Sequence, residues 1–234
     1  MKIAFCLSGA PRFKHGCLFK LIDTIKGFDE ADFFIRTWKS DEFGNTPEEF
    51  INYLKSNGLD GPKFNYRVVE VLEDNADNAP PPRRPLNIAP WAPNLLILWW
   101  GVVKCFELLE NYVAETGTEY DLVFRMRTDM MPWNHDDGDY KPYEGVIDLT
   151  QYNDKNKMYN AKNFADNFLF GTKEMYKRFV GFWDFLDNYS EAGAFVHPEE
   201  SLELYFQFDE IPYECIPVWV SPYSAPDEYK VRPR

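Results

Sequence analysis

The first 72 residues alternate between two apolar patterns, and that alternation restricts the chain to few folds. Lys2–Leu7 is a short run of strand type, apolar over five residues, that stops at Ser8-Gly9-Ala10-Pro11. Leu18, Leu21, Ile22 and Ile25 then recur at helical spacing, with Gly27 placed to end the helix. A second strand run covers Asp32–Trp38. Thr46-Pro47-Glu48-Glu49 reads as a capping box, opening a helix that carries Phe50, Tyr53 and Leu54 and stops at Gly58. Phe64–Val71 is the third strand run. Strand, helix, strand, helix, strand predicts α/β layering around a parallel sheet.

Residues 74–93 interrupt this pattern with six prolines, which no regular element can accommodate. A connection of that length in a compact domain reads as a ligand-flanking loop, with Arg83 and Arg84 at its middle, or as a plain mobile connection. Asn94 then caps a long helix whose residues Leu95, Leu98, Trp99, Val102, Phe106, Leu109 and Val113 trace one broad apolar face. Tyr120–Met126 is the next strand. Further on, residues 134–154 are acidic and turn-rich, with a short strand at Val146–Leu149 and brief strands at Met158–Tyr159 and Phe168–Phe170. Thr172 caps a helix reaching Leu186, another helix runs from about Pro198 to Phe208, and Cys215–Val220 is a last apolar run. A length of 234 residues allows one domain or two. The absence of a repeat or a clean boundary favours one α/β unit with an elaborated second half.

Charge and cysteine usage narrow the function classes. Asp and Glu outnumber Lys and Arg 38 to 25, a formal −13. That balance opposes nucleic-acid binding, which depends on neutralising phosphates, but leaves room for a local basic pocket. The four cysteines form no CxxC pair and the three histidines are scattered, which gives no zinc pattern and suits free thiols. The N-terminal apolar run is too short for a signal peptide. Leu95–Val103 falls short of the roughly 20 residues that span a bilayer. A cytoplasmic location and no transmembrane segment are expected.

Four segments can carry chemistry. At the end of the first strand, Gly9 lets a backbone approach a ligand, and Arg12 offers a planar fork of donors to a phosphate. Neither GxGxxG nor GxxxxGK[ST] is present. The strand Tyr120–Met126 runs into Arg127-Thr128-Asp129. Period two would put Arg125, Arg127 and Asp129 on one side, where Asp129 holds a cation and the arginines orient it or meet phosphates, or where the three form a structural Arg–Asp cluster at a sheet edge. Asn163, Asp166 and Asn167 suit hydroxyl recognition, or a plain Asx-rich turn. In His197-Pro198-Glu199-Glu200, Glu200 is placed one turn before Leu204 on the expected inward face. The first-turn dipole alone also favours such carboxylates. Trp91, Trp133, Tyr159 and Phe168 lie near these segments, where a sugar or base could stack. No GxSxG elbow occurs.

The order LSGxxR, YDLVFRMRTD, ADNFLFG and HPEESLELYF resembles a family of glycosyltransferase-like proteins from bacteria, algae and DNA viruses, linked to surface-polysaccharide genes. The resemblance covers Lys2 to about Phe208. It implies a GT-A-like, Rossmann-like fold with a mostly parallel or mixed sheet, residues 1–129 binding the nucleotide and residues 130–234 the acceptor. It also implies a nucleotide-diphosphate sugar as donor, a carbohydrate or other hydroxyl as acceptor, and a divalent cation, Mn or Mg. Ser8, Gly9 and Arg12 fall where such proteins begin their nucleotide site. Asp129 matches the last acid of a DxD-like metal motif, whose first position here is Arg127. That departure leaves either ligands from elsewhere or arginines in place of the metal. Asp166 falls at the acceptor-side acid, and Glu200 or Glu199 at the acid of a helix start. A non-catalytic nucleotide- or glycan-binding module is the main rival; a structural protein and a phosphotransferase are further ones.

Overall fold

The computed structural model describes residues 1–12, 16–73, 80, 88, 95–136, 139–162, 168–191, 196 and 198–222. Residues 135–136, 139–140, 187–191, 198–199 and 221–222 are described by backbone alone. The apolar run at the N-terminus forms β1 (Lys2–Gly9), followed by α1 (Cys17–Thr24), a two-residue β2 (Ile25–Lys26) and β3 (Glu30–Trp38). The capping box opens α2 (Pro47–Ser56): Thr46 Oγ1 accepts from Glu49 N at 3.2 Å, while Glu49 reaches back to Asn45 N at 2.7 Å. β4 (Phe64–Leu72) and the long α3 (Leu95–Thr116) lead to β5 (Leu122–Met126).

The second half begins with a hairpin, β6 (Met130–Asp136) and β7 (Asp139–Pro142), then β8 (Ile147–Asp148), β9 (Met158–Ala161) and β10 (Phe168–Gly171). Helices α4 (Lys173–Val180), α5 (Phe182–Glu191) and α6 (Pro198–Phe208) precede β11 (Tyr213–Ile216) and β12 (Trp219–Pro222).

A seven-stranded mixed sheet in the order β11-β9-β10-β5-β1-β3-β4 forms the centre of an α/β, Rossmann-like fold. Most of its pairings are parallel: β1 with β3, β1 with β5, β3 with β4 and β9 with β11. Its central strands are covered on both faces, which explains their unbroken apolar sequence. Ile3, Phe5 and Leu7 face α1 and α2, whereas Ala4 and Cys6 face α3, α4 and α6. Trp99 of α3 is fully buried, its ring 4.4 Å from Phe182 and 5.4 Å from Phe179.

β10 is antiparallel to both β5 and β9, so β5, β9 and β11 run in one direction and end at the same edge as β1, β3 and β4. Beyond that edge β6 lies between β12 and β7 in a separate three-stranded sheet. No helix among the described residues is long and apolar enough to cross a membrane.

Two local expectations change. The helix expected from Thr172 to Leu186 is two helices, because the Tyr205 hydroxyl donates to Arg178 O at 2.6 Å and occupies the end of α4. A Cβ on Gly181 would lie 2.6 Å from the Tyr205 oxygen, so a larger residue there would displace that hydroxyl. The stretch 134–154 also holds more strand than its polar sequence indicates. Pairing with Trp219 and Val220 holds β6 in place, although Pro132 sits within it.

Candidate functional site

From β1 the chain proceeds outward through β3 to β4, and α3 then returns it to β5 on the other side of β1. Such a reversal opens a crevice beyond the carboxyl ends of the two diverging strands. The turn after β1 and the turn after β5 both emerge there, which brings together two segments 116 residues apart. Arg12 N donates to Thr128 Oγ1 at 3.0 Å, and that hydroxyl donates to Ala10 O at 3.1 Å. Thr37 Oγ1 fixes the third strand end by donating to Gly9 O at 3.0 Å.

Gly9 has φ 115°, in the region that favours glycine, and a Cβ there would meet nothing within 4 Å. Among the described residues nothing crowds that side of the backbone. Ser8 is buried on the other side of the strand, its Oγ 3.8 Å from where a Gly101 Cβ would stand. That hydroxyl has no hydrogen-bond partner among the described residues.

The Arg–Asp segment is arranged differently from the extended row that its spacing predicts. β5 stops at Met126 and residues 127–129 turn. Arg127 grips Asp129 with two hydrogen bonds, Nε to Oδ1 at 3.0 Å and Nη2 to Oδ2 at 2.7 Å. Arg12 Nη1 lies 3.9 Å from the same carboxylate with its side chain 57% exposed, so it is the solvent-facing cation of the corner.

Arg125 does not join this surface. It is fully buried on the α3 side, donating from Nη1 to Met126 O at 2.5 Å and to Ser8 O at 3.4 Å. It therefore braces the ends of β1 and β5 from below instead of reaching a ligand. Around it, burial pushes the Cys6 thiol and the Tyr176 hydroxyl well above their ordinary pKa values.

Cys17, at the start of α1, has its pKa raised to about 11, chiefly by burial and also by the charge of Asp129. A thiol so shifted is a poor nucleophile at neutral pH.

The donors at Asp129 do not fit a divalent cation: both carboxylate oxygens already accept from Arg127, and the Thr128 hydroxyl is committed to Ala10. Among the described residues no group of three His, Cys, Asp or Glu is placed to hold an ion.

Glu200 is exposed in the first turn of α6. The inward face of that helix runs through Ser201, Leu202, Tyr205 and Phe206, whereas Leu204 is 44% exposed, so aligning Glu200 with Leu204 turns it outward. The stacking expected of Trp133, Tyr159 and Phe168 is not available, because each is at most 6% exposed and packed in a core. Asp166, Asn163, Asn167, Arg83, Arg84, His15, His197 and Trp91, and the side chain of Glu199, lie outside the described residues.

Sequence reasoning passed over Thr128 and Thr37. A threonine beside a charged residue at a strand end, able to donate to one backbone and accept from another, is the signal that would have identified Thr128. Compared with protein-family models and with curated proteins, the chain matches none.

Proposed function

We propose that the chain is a glycosyltransferase that moves a sugar from a nucleotide-diphosphate donor to a carbohydrate or other hydroxyl. The observation that carries this reading is the meeting of the Ser8–Arg12 turn with the Arg127–Asp129 turn at the switch point of the sheet. There two guanidinium groups and one carboxylate stand together. Two arginines against one aspartate leave a local positive excess on an acidic molecule, and such an excess concentrates a diphosphate.

During transfer the bond between the anomeric carbon and the diphosphate oxygen breaks, and its electron pair leaves with the diphosphate. The acceptor oxygen bonds to the anomeric carbon and gives up its proton. Arg12 and Arg127 are suited to stabilise the charge that develops on the departing diphosphate, a role that preorganised donors perform well. Asp129 is a positioning residue in this reading, fixing the plane of Arg127.

A carboxylate takes the acceptor's proton directly if the anomeric carbon is inverted. Asp166 is the proposed base, on the connection that leaves β9 at Ala161 and enters β10 at Phe168, beside Met126.

The test is donor turnover across a panel of nucleotide sugars. Asp129→Ala should lower kcat by about 100-fold, the effect of misplacing a catalytic group by an ångström, while KM moves little. An unchanged kcat in a folded Asp129→Ala variant refutes the role.

A second reading, a binding module without turnover, draws support from the full engagement of Asp129 by Arg127. It predicts tight donor binding and no product with any donor or acceptor.

A further inference from the structure

The corner where α6 meets β11 carries features that sugar transfer does not use. Leu204, Phe208 and Tyr213 are 44%, 72% and 36% exposed; with Ile97 and Val146 they are the large apolar side chains exposed among the described residues. Leu204 and Phe208 are one turn apart on α6, where the Phe208 ring lies 5.2 Å from Phe185, whereas the Tyr213 ring at the start of β11 lies 5.8 Å from Phe206. At Tyr213 an open hollow of about 330 Å³ is lined by Phe206, Gln207, Glu210, Ile211, Pro212 and Tyr213. Among the described strands β11 is an edge of the main sheet, with Tyr213, Glu214 and Cys215 exposed and Ile216 buried in the core. Met158 N donates to Pro212 O at 2.9 Å. Successive residues of a strand bond to opposite sides, so Pro212 and Glu214 turn towards β9 and the amide and carbonyl of Cys215 turn outward.

The turn into this corner is strained at a telling residue. Ile211 N donates to Phe206 O at 2.8 Å and Glu210 N to Gln207 O at 3.4 Å, the bond pair of a Schellman motif, whose left-handed position belongs to Glu210 with φ 49°. Glycine adopts that conformation without strain, whereas glutamate does not. A carboxylate is thereby held at the lip of the hollow. Glu203, which accepts from Tyr213 Oη at 3.4 Å, adds a second carboxylate on this side, whereas Glu214 is paired with Lys157 at 3.2 Å. Asp209 is paired with Arg178 at 3.3 Å.

We infer that this corner docks an extended basic segment of another protein. One apolar side chain of that segment enters the hollow, a lysine or arginine meets Glu210 and Glu203, and its backbone bonds along the outer side of Cys215. Recognition by an open strand edge takes affinity from the main chain and selectivity from the flanking pockets. A second copy of this chain is the poorer occupant, because a two-fold contact would set the same carboxylates face to face between molecules of charge −13.

Fluorescence anisotropy with two labelled, acetylated peptides, one alternating lysine with valine and one alternating glutamate with valine, tests the inference on the full chain. The lysine peptide should bind, more weakly as salt is raised, and the glutamate peptide should not. Glu210→Gly should weaken binding by about fivefold, near the upper end for an exposed ion pair, while the melting temperature rises, so that unfolding cannot account for the loss. Hydrogen exchange should show protection of the Cys215 amide by the lysine peptide. No binding of the lysine peptide, equal binding of both, unchanged binding by Glu210→Gly, or a dimer that buries β11 would each overturn the inference.

Discussion

An aspartate that accepts two hydrogen bonds from one arginine has little left to offer a metal ion. Asp129 is in that position, and Arg12 approaches from the solvent side. A second carboxylate, Asp32, shows the opposite relation of charge to function. It is fully buried at the other edge of the sheet, where burial alone would raise its pKa. Hydrogen bonds from Arg67 at 3.0 Å, Tyr120 at 2.6 Å and Asn65 at 2.9 Å reverse that tendency and hold the pKa below the ordinary carboxylate value. Lys2 Nζ lies 3.4 Å away. A lowered folded pKa contributes stability above the unfolded value of about 3.9, and that stability is lost as pH falls through the folded value. Chemical denaturation should therefore show Asp32→Asn less stable than the parent at neutral pH by about 3 kcal/mol, with the gap closing in acid. A gap that does not change with pH would remove the charge from this account. The residue type at Asp32 and at Asp129 was legible in the sequence. Their partners were not, because Arg67 and Tyr120 come to Asp32 from other elements and Arg127 reaches Asp129 only through a turn.

Elements were legible where local chemistry decides them. β1 and α2 appear where the apolar run and the Thr46 cap place them, and Thr46→Ala should cost about 1 kcal/mol in thermal or denaturant unfolding. Where a distant partner decides, the sequence misleads. The α4–α5 break depends on a hydroxyl from α6, and β6 depends on β12, 86 residues on from Trp133 to Trp219. Arg125 belongs to the same class: its alternation with Arg127 is real, but the strand ends between them, and only Arg127 reaches the turn. The strained end of α6 provides a direct check at this scale. Glu210→Gly should stabilise the fold by about 1 kcal/mol, measured by the shift of the denaturation midpoint, because glycine relieves the left-handed residue. A loss of stability would mean that the glutamate side chain contributes more than its backbone costs.

Across the whole molecule, the order of the strands turns separate motifs into one site. Crossing from β4 back to β5 places the Ser8–Arg12 and Arg127–Asp129 turns side by side, and the connection between β9 and β10 starts and ends at the same edge. The alternating first half implied this layering, so the edge at which the two turns emerge could be read from sequence. Its electrostatic character could not, since that depends on Arg125 being buried while Arg12 remains exposed. The net charge of −13 leaves the corner as a local positive exception. The most direct measurement is calorimetric titration of nucleoside diphosphates into the full chain in the presence of a chelator, repeated with Arg12→Ala and Arg127→Ala. The account predicts saturable binding without metal, weakened about tenfold or more by each substitution, as expected for a lost charge-assisted bond. No heat with any nucleoside diphosphate, or binding that both variants retain, would contradict it.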